Sequence, residues 1–111
     1  MTHEIKSIVT RENAVRKQFL GIDFEVLAVG KESMVTKMLF KDSDFAALHK
    51  HPNEQNGYVI SGQYKLTVDT TEFIISSGDA YSIPANVEHS LEVIEAGEIV
   101  DVFTPIRIDY L

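Results

Sequence analysis

Residues 63–68 read Gln63-Tyr64-Lys65-Leu66-Thr67-Val68, with an apolar or aromatic side chain at every second position. Side chains of a strand alternate between its faces, so Tyr64, Leu66 and Val68 point one way and Gln63, Lys65 and Thr67 the other. That is the mark of a half-buried antiparallel strand. The same pattern extends outward on both sides. From about Phe24 the chain offers FEVLAV, SMVTKMLF, FAALHKH, YVI, QYKLTV, EFII, DAYSI, HSLEVI and EIVDVF. Between them stand Gly30, Asp42 to Asp44, Pro52 to Gly57, Ser61–Gly62, Asp69 to Thr71, Ser77–Gly78, Pro84 to Asn86 and Ala96–Gly97. Nine short strands at about ten-residue spacing, with turn residues between them, predict an all-β sandwich or barrel. Residues 11–18 (RENAVRKQ) contain helix formers. A helix that short is unstable alone, and the segment is read as a turn or arm.

With 111 residues, no internal repeat and no Pro/Gly/Ser-rich linker, the expectation is one domain over residues 1–111, residues 1–20 forming an N-terminal arm. There is no cysteine. A disulfide framework, a thiolate-held metal and a thiol nucleophile are therefore excluded, and a metal would have to be held by His, Asp, Glu, Gln or Asn. The 17 acidic residues outnumber the 10 basic ones, for a net charge of −7, and Lys and Arg are scattered. Nucleic acid and anionic membranes are poor partners for such a surface. The apolar runs are strand-sized, far below the ~20 residues of a membrane span. Without an apolar leader and cleavage site at the N-terminus, the expected location is the cytoplasm.

Three of the four histidines form a pattern that makes chemical sense. His49 and His51, one residue apart, project from the same face of an extended segment, as two ligands of one ion must. By itself that spacing also suits two ordinary surface or core histidines. Gln55 follows four residues after His51, with Glu54 before it, on a loop able to turn an oxygen toward an ion. His89 shares a strand face with Leu91 and Val93. It reads as a hydrogen-bonded core residue or as a ligand.

The string HKHPNEQNGYVISG (49–62), followed by GDAYSIPANVEH (78–89), resembles the two motifs of the cupins, small double-stranded β-helix (jelly-roll) barrels. His49, His51, Gln55 and Gly62 match the first motif, and Gly78, Pro84 and His89 the second. Ser43, Asn86 and Val93 depart from it, at turn or strand-end positions. The resemblance implies that His49, His51, Gln55 and His89 converge on one divalent transition metal (Ni, Zn, Mn or Fe), with Glu54 the alternative fourth ligand. Three imidazoles and a neutral amide leave the ion's double charge uncompensated, which favours an anionic substrate and Lewis-acid work over a more highly charged, oxidised metal.

In the segment IVDVFTPIRIDYL, Asp101 and Phe103 share a strand face, Pro105 ends the ladder and Arg107 follows. Taken alone, this is a closing strand with a solvated acid, a core Phe and a surface Arg. Its pattern Asp-x-Phe-x-Pro-x-Arg-x-Asp-Tyr, together with AVRKQFLG (14–21), resembles the pectin-degradation cupins of the KdgF type. Those proteins convert 4,5-unsaturated uronate monosaccharides to linear keto forms. The resemblance implies Asp101 as acid/base, Arg107 as the clamp of a small anionic sugar-like substrate and Phe103 as a wall against the sugar ring. Tyr58, Tyr64 and Tyr81 are read as packing residues, any of which could add a proton donor. Another cupin enzyme, a dioxygenase or lyase, and a non-catalytic metal- or sugar-binding cupin are the alternatives. Residues 4–10 (EIKSIVT) could pair with a partner's edge strand, so a homodimer is expected.

Overall fold

A computed structural model describes residues 4–111. Ten strands follow one another: β1 Val15–Phe19, β2 Ile22–Val29, β3 Met34–Phe40, β4 Phe45–His49, β5 Glu54–Val59, β6 Gln63–Val68, β7 Thr71–Ser76, β8 Ala80–Ile83, β9 His89–Glu95 and β10 Gly97–Thr104. They form a six-stranded sheet, β1-β2-β3-β10-β5-β8, and a four-stranded sheet, β4-β9-β6-β7, with every pairing antiparallel. This is the all-β, double-sheet jelly roll expected from the strand spacing. The final strand, β10, lies in the middle of the larger sheet between β3 and β5.

Period two decides what is buried. Ile22, Phe24 and Val26 of β2, Met34 and Met38 of β3, and Ile99 and Phe103 of β10 point inward from one sheet; Tyr64, Leu66, Leu91 and Val93 meet them from the other. The alternation expected for β6 and β9 is observed. Outer faces carry cross-strand ion pairs: Glu25 and Glu98 flank Lys37 at 3.6 and 3.9 Å, and Glu72 and Glu92 flank Lys65 at 3.5 Å each. Exposed pairs of this kind contribute little stability. They do favour one register over its neighbours, because a slipped strand would set like charges opposite each other.

Two local expectations need correction. Residues 11–18 divide into a 3-10 turn at Arg11–Asn13 and the edge strand β1, which adds a tenth strand to the nine expected. Leu20 and Gly21 both have positive φ (52° and 81°), the geometry of a tight hairpin turn. That turn folds Val15–Phe19 back onto β2, and ladder bonds replace a helix too short to persist. The turn expected over Pro52 to Gly57 is also shorter, because β5 already begins at Glu54. Asn56 and Gly57 are poor strand formers, but β5 is paired on both sides, by β10 and β8. Tertiary pairing outweighs propensity there.

Candidate metal centre

His49 ends β4, His51 lies in the connection that follows, and His89 begins β9 opposite His49. One ring nitrogen of each lies within 4.8 Å of the others. Each ring is oriented by its Nδ1, which meets a backbone carbonyl: Ala47 at 2.7 Å for His49, Asn53 at 2.9 Å for His51 and Val87 at 2.9 Å for His89. A carbonyl only accepts, so the proton of each neutral ring sits on Nδ1 and the Nε2 lone pair is left for a ligand role. Burial, the largest cause in each case, depresses all three pKa values, that of His89 to about 4. The rings are therefore neutral donors at neutral pH.

Two features fit a cation. His89 Nε2 is buried and lacks a hydrogen-bond partner, a state that is costly unless something coordinates the lone pair. Gln55 Oε1 faces His51 Nε2 at 3.0 Å. With the proton of His51 committed to Asn53, two acceptors confront one another, and a positive ion between them removes that conflict. Gln55 also hydrogen-bonds Asp101 and Tyr81, in each case favouring the ionised form. Those contacts call for the amide N–H groups, which points the oxygen back at the histidine. Glu54 is exposed on the other side of β5, so Gln55 is the neighbour of the three rings.

Asp101 is 2% exposed and Arg107 6%, so neither the solvated acid nor the surface arginine describes them. Burial lifts the Asp101 pKa to about 6, against the opposing pull of hydrogen bonds from Tyr81 and Gln55 and of the Arg107 charge. His49, Gln55, Tyr81, His89, Asp101 and Arg107 line one cavity, with Phe103 beside them. Phe103 packs edge-on against His51 at 5.5 Å. The guanidinium of Arg107 lies over Tyr110 at 4.0 Å, with Phe19 at 5.0 Å and Phe103 at 5.2 Å. Asp109 holds its Nε (3.3 Å) and Nη2 (2.8 Å), and Tyr110 Oη accepts from Nη1 (2.8 Å). Three of the five N–H groups are thus bonded, which leaves one on each of Nη1 and Nη2.

Sequence patterns gave no sign of several supporting residues. Asn53 is buried; its Nδ2 donates to Pro105 O at 2.7 Å and its own carbonyl holds His51, which ties the histidine loop to the segment bearing Arg107. Phe19 meets His49 edge-on at 5.2 Å. Asn86, with φ +63°, takes a left-handed conformation that Asn tolerates better than most residues, so the turn ahead of His89 keeps its shape. The turn residues Pro84 to Asn86 are visible in sequence; the partners of Asn53 are not.

Comparison with known proteins bears on the family and the fold. The cupin domain family (Cupin_2) matches residues 37–103. The chain is 28% identical over 93 residues to the pectin degradation protein KdgF of Dickeya dadantii, covering 82% of this chain and 84% of that one. Among solved structures it resembles KdgF from Halomonas sp. (TM-score 0.86, 24% identity, 95% and 100% coverage). A similar likeness holds for an RmlC-like cupin from Shewanella frigidimarina (TM-score 0.88, 24% identity, 96% of both chains).

Proposed function

Since the chain belongs to the cupin family, by the match over residues 37–103, we propose that it is a metal-dependent enzyme opening 4,5-unsaturated uronate monosaccharides to their linear keto forms. The observation that carries this is Asp101, a buried carboxyl with a pKa near 6 that shares one cavity with His49, His89, Gln55 and Arg107. The likeness to a pectin degradation protein supports the substrate class.

The reaction is an isomerisation. The C1 hydroxyl loses its proton, the bond from C1 to the ring oxygen breaks, C1 becomes an aldehyde, and the C5 enol becomes a ketone as C4 takes up a proton. No oxidant or reductant is consumed. A divalent ion held by His49, His51, Gln55 and His89 would supply Lewis-acid stabilisation of negative charge developing at C5. Asp101 titrates close enough to neutrality to take up the hydroxyl proton and return one to carbon. Arg107 turns its unbonded N–H groups to the substrate carboxylate, in a planar geometry that lysine does not offer. Phe103 gives the sugar ring an apolar wall. In the same reading residues 4–10 pair two chains into a homodimer, which sedimentation of full-length and shortened chains would test.

The test uses an unsaturated uronate made by a polysaccharide lyase, whose conjugated enol ether absorbs in the ultraviolet. Adding the metal-loaded protein should remove that absorbance faster than spontaneous opening does. Chelation and Arg107→Ala should each abolish the acceleration. A metal-loaded sample that gives no acceleration would remove the substrate assignment.

A further inference from the structure

Tyr81, Gly57 and Asp101 form one row across the larger sheet: Tyr81 of β8 stands opposite Gly57 of β5, and Gly57 opposite Asp101 of β10. Tyr81 and Asp101 are therefore separated by a whole strand, roughly 10 Å at the usual strand spacing. Even so, the Tyr81 hydroxyl donates to Asp101 Oδ1 at 2.6 Å. The phenol spans the gap by lying flat over the backbone of Gly57. A Cβ at position 57 would overlap Tyr81 Cζ, Cε1 and Oη. Gly57 does not take a positive φ, so the glycine answers to the tyrosine ring and not to a turn.

We propose that Tyr81 is a positioning residue, seated on Gly57, that fixes the carboxyl of Asp101 in the cavity of the metal centre; its catalytic meaning rests on the uronate reading above. Two independent observations support it: the short hydrogen bond, and a strand interior held open at the one position where a side chain would break that bond. Glycine within a strand weakens it, so its presence signals close approach. Aspartate has several χ1 wells. With Oδ1 held by Tyr81, the carboxyl is confined to one of them and Oδ2 is left for the substrate and Gln55. Misplacing a catalytic group by about 1 Å costs up to ~100-fold in rate, which sets the scale of the effect.

The decisive variant is Tyr81→Phe, which removes one oxygen and leaves the ring on Gly57. We expect kcat on the lyase-made uronate to fall about 10- to 100-fold, with KM and bound metal per chain unchanged. In an Asp101→Asn background the same change should cost nothing further, because the group it positions is already gone. Gly57→Ala should reproduce the kcat defect by lifting the ring. A second measurement needs no turnover: the 13C carboxyl resonance of Asp101 in the zinc-loaded protein should shift in Tyr81→Phe and stay put in Tyr58→Phe, whose ring is exposed on the opposite face of β5. An unchanged kcat, an additive double variant or an unmoved Asp101 resonance would overturn the proposal. If the wild-type protein leaves the uronate untouched, the substrate assignment falls, and the resonance alone decides whether Tyr81 governs Asp101.

Discussion

His49 and His89 stand directly opposite each other on the β4–β9 ladder, and their rings meet edge to face at 4.2 Å. Cross-strand register therefore sets the separation of two candidate ligands, and the connection after β4 brings His51 to them. A site built on a ladder is rigid before any ion arrives.

Removing the ion should accordingly cost stability without changing the fold. At free metal a hundredfold above its Kd, the bound form is stabilised by about 2.7 kcal/mol, so chelation should lower the denaturation midpoint by that equivalent. His89→Ala, which deletes the ligand with no other partner for its Nε2, should abolish the difference between metal-loaded and chelated protein. A variant that still responds to metal as wild type does would exclude His89 from the site.

Acid should destabilise the metal-free protein between about pH 6.5 and pH 4. The folded-state pKa of His89 is about 4, below the ordinary 6.5, and those of His49 and His51 are lowered too. Over that window the unfolded chain binds protons that the folded one does not, so stability falls with pH. Asp101 works in the opposite sense: its pKa, raised from 3.8 to about 6, means the folded state takes up a proton first, and its contribution grows as pH falls through 6. Three histidines outweigh one carboxyl. Asp101→Asn should therefore steepen the acid loss, as read by urea denaturation at pH 4, 5, 6 and 7.

Gln55→Glu separates charge from shape. A carboxylate would satisfy a cation better than the amide does, but it would set a negative charge against Asp101 and give up the donated hydrogen bonds there. Metal retention against a competing chelator should tighten roughly tenfold, and binding of an anionic uronate should weaken by a similar factor. Unchanged substrate affinity would sink the argument that a neutral donor set serves an anionic substrate.

Thr36→Val should stabilise the protein. Thr36 is fully buried opposite Asp101 in the β3–β10 register, and its Oγ1 has no hydrogen-bond partner. Replacing an unsatisfied hydroxyl by a methyl should raise stability by about 1 kcal/mol, measured by urea denaturation with the metal bound. No gain would mean that an ordered water satisfies the hydroxyl.

Much of this was legible in the sequence because a strand writes its burial at period two: Tyr64, Leu66, Leu91, Val93 and Phe103 are buried on the faces their spacing indicated. Motif spacing likewise brought His49, His51 and His89 together. Hidden from it was most of what depends on strand pairing. β1 depends on a two-residue turn at Leu20–Gly21, and the early start of β5 on neighbours 25 to 50 residues further along the chain. The role of Tyr81 is visible only once Gly57 and Asp101 are set in one row. Arg107 looked like a surface residue because nothing in a linear reading stacks it on Tyr110 or ties its segment to Asn53.

The central place of β10 in the larger sheet has a consequence during synthesis. All three histidines, Gln55 and Tyr81 emerge from the ribosome before Asp101 does, yet β3 and β5 have no common neighbour until β10 slides between them. Until then both present unpaired edges and an uncovered apolar interior, the condition in which nascent chains associate wrongly. The nascent chain thus carries its metal donors before it carries its acid, and the strand that delivers the acid is the one that seals the sheet.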